Sequence, residues 1–215
     1  MFTLTESHRA LLRKSIVVWA PMEAGVPAVL PSPELLADEG GPAFYLDVAR
    51  RAGLEVGESP SAAQREQLDA LMAELPEALA QLLAHGRLAP GTYDYANPLV
   101  ELEASASFLP EELRDLAKQP TAHFALTDSH LKLLRRTRWE QLFMNAKRPY
   151  GDMTYFELDM AEILGEPTQK DADGHLPEAE AQRLWRLHVD TLPALQLYLQ
   201  RAEISPGPYE RIGAE

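Results

Sequence analysis

The chain has 215 residues, no cysteine and a net charge of −13. The absence of cysteine excludes disulfides, iron–sulfur clusters, thiolate zinc sites and a thiol nucleophile, and it is typical of a reducing compartment. The acidic charge repels phosphate backbones and anionic lipid, so we expect neither broad nucleic-acid binding nor membrane binding. It would attract a basic partner, although acidity can also serve solubility alone.

The first residues favour a cytoplasmic protein. Residues 1–14 carry Glu6 and lack a long apolar core, so they do not form a secretory signal. The apolar run that follows, 16–20, is far too short to cross a bilayer.

Two parts of the chain repeat one another. Residues 1–95 form the first copy, residues 124–215 form the second, and residues 96–123 are a connector with a short helix of its own. The matches keep the same order and differ only in loop length, so chance is a poor explanation. The matching blocks are 2–8 with 124–130, 11–13 with 133–135, 44–53 with 156–165, 75–76 with 192–193, and 90–93 with 206–209.

Each copy is expected to fold as three helices. The first begins at Thr5 or Thr127, since a threonine side chain can cap the first N–H groups of a helix. The second ends at Gly53 or Gly165, because glycine readily takes the left-handed conformation that closes a helix. The third has leucines at helical spacing and an internal proline that predicts a kink or break. Those prolines are Pro76 and Pro193.

The predicted fold is therefore all-α, with two tandem pseudo-symmetric three-helix repeats packed together. Residues 15–19 include β-branched side chains, but they follow directly on a helix and have no obvious pairing partner, so we predict no strand. The loop at 21–31 is apolar and either lies over the core or serves in recognition. The third helix of the second copy is apolar around most of its girth, which favours a core helix over a partner groove or homodimer face.

Standard catalytic motifs are absent, among them the nucleophile elbow, the phosphate-binding loop, the dinucleotide fingerprint and the zinc-protease helix. We therefore expect a protein that is not an enzyme and uses no cofactor. No metal site is expected either. Residues 171–175 begin like a calcium loop, but His175 and Leu176 stand at the fifth ligand position and the obligatory glycine position.

A histidine and an aspartate recur at the same places in both copies, His8 with Asp47 and His130 with Asp159. Such a pair could act as a general base or as half of a metal site. A feature kept in both copies is more often part of the shared fold. We therefore favour a structural role, in which the aspartate of the second helix holds a histidine or arginine of the first.

Basic residues concentrate at 132–148 of this acidic chain. A basic loop that leads into a helix N-terminus could hold a phosphate or carboxylate, although such residues more often pair with neighbouring acids. The candidate anion-binding residues are Arg135, Arg138, Lys147 and Arg148.

The second copy carries a segment that resembles part of a group of small bacterial proteins. The resemblance rests on residues 126–135, Trp139, 147–151 and 159–165, and it extends more weakly to the same region of the first copy. Some of those proteins are similar to immunity proteins of polymorphic or contact-dependent toxin systems. The shared residues look architectural, so the resemblance implies a function but assigns no functional residue.

Acidity, the missing catalytic motifs and the resemblance together favour a cytoplasmic immunity protein that neutralises a toxic enzyme by occluding its active site. Its partner would be a basic protein such as a secreted toxin domain, and the chain itself would be a monomer or homodimer. The alternative is a small-molecule or anion-binding protein, or an unfamiliar enzyme, with a basic site in the second copy. The candidate partner contacts are Asp38, Glu39, Glu101, Glu103, Asp171 and Asp173.

Overall fold

The computed structural model describes residues 1–19, 27–36, 40–101, 118–136, 161, 163–165 and 176–212. The helices whose bounds lie within these residues are α1 (Glu6–Lys14), α2 (Pro42–Ala52), α3 (Ala62–Ala73), α4 (Leu75–His85), α5 (Asp128–Arg136), α6 (Glu178–Val189) and α7 (Thr191–Arg201). The strands are β1 (Phe2–Leu4), β2 (Ile16–Trp19), β3 (Pro27–Leu30), β4 (Gly91–Ala96), β5 (Thr121–Leu126) and β6 (Gly207–Tyr209). A short 3-10 helix covers Pro33–Leu36.

The prediction of an all-α fold is wrong, because the described residues include three two-stranded antiparallel sheets. β1 pairs with β6, β2 with β3, and β4 with β5. β1 and β6 have three residues each, and β4 and β5 have six. A run of three residues is too short to show the two-residue alternation that reveals a strand in a sequence. Two of the three sheets also join segments that are distant in the chain.

The apolar run at 15–19 contributes a strand because its partner lies in the apolar loop that follows. In the hairpin of β2 and β3, Ile16 lies opposite Leu30. Ala28 and Val29 are buried, so the described part of that loop lies over the core. Residues 21–26 of the loop lie outside the described residues.

The terminal strands of the two copies are exchanged. β1 opens the first copy and pairs with β6 at the end of the second, whereas β4 closes the first copy and pairs with β5 at the start of the second. Phe2 lies opposite Tyr209, and Phe124 lies opposite Tyr93. These are matching positions of the repeat, so one contact is made twice about a pseudo-two-fold axis. Each copy therefore completes the other's sheet.

The predicted helix ends are confirmed. The hydroxyl oxygens of Thr5 and Thr127 accept the backbone N–H groups at the third position of α1 and α5, as a capping side chain should. Gly53 and Gly165 have φ values of 71° and 65°. Glycine takes this left-handed conformation without the steric cost that a side chain brings.

The predicted break in the third helix occurs in both copies. α3 and α4 meet at Glu74, and α6 and α7 meet at Asp190. Pro76 and Pro193 each lie in the first turn after the break, where a missing backbone N–H costs no helical hydrogen bond. The expected third helix is therefore two consecutive helices in each copy.

One hydrophobic core is shared by the two copies. α4 and α7 cross it, and Leu79 and Leu195 at their centres are fully buried. α7 packs against α1, β2, α5 and α6 and against both strands of the β4–β5 sheet, which makes it a core helix. Burial of one leucine side chain contributes about 2 kcal/mol to stability. Separating the copies would therefore expose apolar side chains whose burial stabilises both of them.

Candidate functional site

The acidic residues predicted to contact a partner are described in one case only. Glu101 is 45% exposed and accepts a hydrogen bond from Nη2 of Arg51. Its carboxylate is thus engaged within the protein and does not stand free on the surface. The remaining candidates lie outside the described residues and are Asp38, Glu39, Glu103, Asp171 and Asp173.

The predicted anion-binding residues are likewise described in one case. Arg135 lies in the last turn of α5 and is exposed. The other three, Arg138, Lys147 and Arg148, lie outside the described residues. The structure brings Arg135 together with cations that the sequence did not single out.

Five cationic side chains line a cleft of about 480 Å³, here called the basic cleft. It lies where the C-terminal ends of α1, α2 and α7 meet the segment 96–101. Cations in the last turn of a helix interact favourably with its dipole, so each helix carries them for a local reason. Helix packing then gathers them in one place. The cationic side chains that line the basic cleft are Arg13, Lys14, Arg50, Arg51 and Arg201.

Arg51 connects the walls of the basic cleft through hydrogen bonds. It is buried, with 3% of its surface exposed. Its Nε donates to Oδ2 of Asp47 at 2.7 Å, and its two Nη atoms donate to the backbone carbonyl of Lys14 and to the carboxylate of Glu101. One guanidinium thus ties α2 to the end of α1 and to the segment after β4. A planar fork with five donors suits this task better than an ammonium.

Asp47 is the anchor of Arg51. The Asp47 carboxylate also accepts hydrogen bonds from Oγ of Ser32, at 2.6 Å, and from Arg50. Burial alone would raise the pKa of Asp47, but the hydrogen bonds from Ser32, Arg50 and Arg51 outweigh it and leave that pKa below its ordinary value. Asp47 therefore has a structural role, as favoured from the sequence, with an arginine of its own helix. Asp159 lies outside the described residues.

Within the described residues, some cations of the basic cleft have no carboxylate partner that neutralises them. Arg13 and Lys14 are exposed and form no ion pair among the described residues. Arg201 is exposed, and among the described residues its side chain donates to the backbone carbonyl of Asp94, at 3.0 Å. Arg50 is 72% exposed while it pairs with Asp47. Positive charge is therefore available at the mouth of the basic cleft.

A smaller space of about 360 Å³, here called the second cleft, shares Arg201 with the basic cleft. Arg87 follows α4, and Arg135 lies in the last turn of α5. Glu203 is the carboxylate on this wall. Three arginines and one carboxylate give the second cleft the same sign of charge as the basic cleft.

The two repeated histidines make equivalent contacts. Nδ1 of His8 accepts the backbone N–H of Thr5 at 3.2 Å, and Nδ1 of His130 accepts that of Thr127 at 3.0 Å. A nitrogen that accepts an N–H carries no proton, so the neutral ring is protonated at Nε2. Each histidine thus completes a capping box with its threonine.

The acid beside each histidine comes from a different helix than predicted. Nε2 of His8 is 3.3 Å from Oε2 of Glu74, and Nε2 of His130 is 3.7 Å from Oδ2 of Asp190. Neither contact has the geometry of a hydrogen bond, and the His130 distance is too long for one. Burial lowers the pKa of both histidines and outweighs the neighbouring carboxylate, which raises it. His8 therefore does not pair with Asp47.

The residues of the basic cleft left a local signal that sequence reasoning did not use. Basic pairs stand at 13–14 and 50–51, at the ends of the first two predicted helices. A single arginine, Arg201, ends the third helix of the second copy. No local sequence pattern shows that these three helix ends converge.

Comparison with protein-family models, with curated proteins and with solved structures finds no match to this chain.

Among the described residues, no group of three or more histidine, cysteine, aspartate or glutamate side chains is arranged to hold a metal ion. Within the same residues, every helix is too short or too polar to cross a membrane.

Proposed function

We propose that this protein binds a small oxyanion, a molecule with a phosphate or carboxylate group, in the basic cleft. The charge of that cleft carries the proposal. Five cations and one carboxylate line it, in a chain whose net charge is −13. Cations held in a concave site raise the local concentration of an anion well above that of the bulk solution.

The size of the basic cleft suits a small molecule. Pockets for small ligands have volumes of about 300–1,000 Å³, and the basic cleft has about 480 Å³. All of its cations except Lys14 are arginines. A guanidinium can donate two parallel N–H bonds to one phosphate or carboxylate, which fixes the orientation of the anion as well as attracting it.

The lining residues have different roles in this proposal. Arg13 and Lys14 bind the anion directly, because their charges are not neutralised within the described structure. Arg51 positions the ends of α1 and α2 through its three hydrogen bonds. Glu101 occupies one Nη of Arg51, so an anion that enters deeply competes with this carboxylate.

Isothermal titration calorimetry with inorganic phosphate and with citrate, at low ionic strength, tests the proposal. Both should bind the native chain, and affinity should fall as salt is added because the side chains are exposed. The double variant Arg13→Ala/Lys14→Ala should bind about tenfold more weakly or worse, as expected for loss of charge-assisted hydrogen bonds.

Lys132→Ala is the matched control. Lys132 is an exposed cation on α5 that does not line the basic cleft, and its removal changes the net charge without touching the site. The proposal is wrong if neither anion binds the native chain, or if Lys132→Ala weakens binding as much as the double variant does.

A second candidate function is the immunity protein expected from the sequence, and an acidic stretch of the described surface favours it. Residues 53–85 contain six acidic residues and one arginine. A basic toxin domain would be steered to such a surface by its field. The exposed acids of this stretch are Glu55, Glu58, Glu66 and Asp69.

This second candidate is tested by purifying the tagged chain from its native cells and comparing two triple charge reversals. Glu55→Lys/Glu58→Lys/Glu66→Lys changes the acidic stretch, and Asp128→Lys/Glu178→Lys/Glu210→Lys changes exposed acids elsewhere. A basic protein recovered in near-equal amount should be lost with the first variant only, and also in about 0.5 M salt, which screens exposed charges. Recovery of no basic protein, or equal loss with both variants, contradicts the idea.

A further inference from the structure

Arg201 belongs to both clefts at once. It lines the basic cleft with Arg13 and Lys14, and it lines the second cleft with Arg87 and Arg135. Its Nη2 donates to the backbone carbonyl of Asp94 at 3.0 Å. This contact with β4 fixes the guanidinium at the boundary, so the two clefts adjoin at one cation.

The second cleft is built on a rigid backbone. The chain turns at Gly86, where an added Cβ would lie 2.4 Å from the carbonyl oxygen of Leu82 and 3.1 Å from the hydroxyl of Tyr198. The Tyr198 hydroxyl donates to the Gly86 carbonyl at 2.6 Å. The backbone of Arg87 is bonded in both directions to that of Glu203, at 3.0 and 3.1 Å. The position from which the Arg87 side chain projects is thus held by three hydrogen bonds.

Arg135 reaches the same turn from α5. Burial raises the pKa of Tyr198, and the guanidinium of Arg135 beside the hydroxyl offsets part of that rise. The second cleft gathers Arg87, Arg135 and Arg201 against the single carboxylate of Glu203, which is the composition expected of a site for one more anionic group.

Resting on the proposed function, we infer that the ligand carries two anionic groups, one held in the basic cleft and one held by Arg87 and Arg135 in the second cleft, with Arg201 between them. The ligand is a small bis-anion and not a polymer. The net charge of −13 repels the flanking phosphates of a long chain.

Calorimetry with linear alkane bisphosphonates of increasing spacer length, compared with the alkyl monophosphonate of equal carbon number, tests this inference. At one spacer length the bisphosphonate should bind the native chain at least about tenfold more tightly than the monophosphonate, because the second group binds intramolecularly. Arg135→Ala should reduce binding of the bisphosphonate to about the affinity of the monophosphonate. Arg201→Ala should weaken both probes.

Arg87→Ala serves as the second test, because Arg135 also contacts Tyr198 and its loss could disturb packing. Only the backbone of Arg87 takes part in the contact with Glu203, so this variant should fold normally and reproduce the effect of Arg135→Ala. Lys132→Ala is again the matched control. If no spacer length exceeds the monophosphonate, or if Arg87→Ala leaves bisphosphonate binding intact, the two-group inference is wrong while the proposed function stands. If Arg13→Ala/Lys14→Ala binds both probes like the native chain, the proposed function itself fails.

Discussion

Arg87 and Glu203 hydrogen-bond to each other through both of their backbone groups, with N···O distances of 3.0 and 3.1 Å. They are as far apart in the sequence as Tyr93 and Tyr209, which occupy matching positions in the two exchanged sheets. Each therefore meets its own equivalent in the other copy, which happens only on an axis of symmetry. The two copies associate like the subunits of a two-fold dimer that have been joined into one chain.

This arrangement predicts that the halves remain together after the chain is cut. A protease site inserted within 102–117 and then cleaved should leave a complex of the two fragments in equal amounts, because both exchanged sheets and the shared core join them. Size-exclusion chromatography with mass spectrometry of the eluted species measures this. Elution of two separate folded fragments would show that each half is an independent domain.

Gln196 should contribute more to stability than Gln200, although each side chain hydrogen-bonds one backbone N–H and one backbone carbonyl from α7. Gln196 accepts from the N–H of Val17 at 2.9 Å and donates to the carbonyl of Ser15 at 3.1 Å, and both bonds are buried. Gln200 pairs in the same way with both backbone groups of Ala96, where water has access. Replacement of Gln196 by leucine leaves two buried backbone groups unpaired, at about 1–3 kcal/mol each.

The measurement is the free energy of unfolding in urea for Gln196→Leu and Gln200→Leu. The first should lose about 2–6 kcal/mol and the second about 1 kcal/mol or less. Equal losses would mean that β2 does not depend on Gln196 for its backbone hydrogen bonds.

His188 should make the protein less stable in mild acid. It is 7% exposed, and burial lowers its pKa from 6.5 to about 4. Between pH 6.5 and pH 4, His188 is protonated in the unfolded chain but stays neutral in the folded chain. The free energy of unfolding is therefore unaffected by His188 above pH 6.5 and declines as the pH falls toward 4. Between pH 7 and pH 5 this one residue costs about 2 kcal/mol.

Urea unfolding of the native chain and of His188→Gln at pH 5, 6 and 7 measures this effect. The variant should lose less stability on acidification than the native chain, and a decline of the same sign should remain from His8 and His130, whose pKa values are also lowered. The assignment to His188 is wrong if His188→Gln loses as much stability on acidification as the native chain does.

The two threonine caps should contribute equally. Thr5 and Thr127 accept from the third backbone N–H of their helices at 3.3 and 3.4 Å, and each hydroxyl lies 2.8 Å from Nδ1 of the following histidine. Thr5→Ala and Thr127→Ala should each reduce the free energy of unfolding by about 1 kcal/mol. Thermal or urea unfolding of the two single variants compares them. A large effect in one copy and none in the other would contradict the equivalence of the two sites.

Interactions within one turn of a helix could be predicted from the sequence. The caps at Thr5 and Thr127 and the glycine ends at Gly53 and Gly165 depend on neighbours at most a few residues away, and all are confirmed. The break before Pro76 follows from the missing N–H of proline. Interactions between neighbouring residues determine these caps, helix ends and breaks. The same residues therefore predict the same feature in both copies of the repeat.

The partners of distant groups depended on the tertiary structure. β1 is three residues long and pairs with a strand at the other end of the chain, and such a segment has too short a pattern to show its conformation or its partner. The carboxylate beside His8 is Glu74 because the break in the third helix turns α4 back toward α1, whereas the repeat alone suggested Asp47.

The sequence by itself determined which residues start, end and break the helices, that the pattern occurs twice, and that helix ends carry cations. Only the tertiary structure decided that the two copies exchange strands and that the ends of α1, α2 and α7 meet in the basic cleft. The physical reason is range. A cap or a dipole acts over one turn and leaves its mark in adjacent residues, whereas the meeting of Arg13 with Arg201 is set by how the shared core packs α7 between the copies.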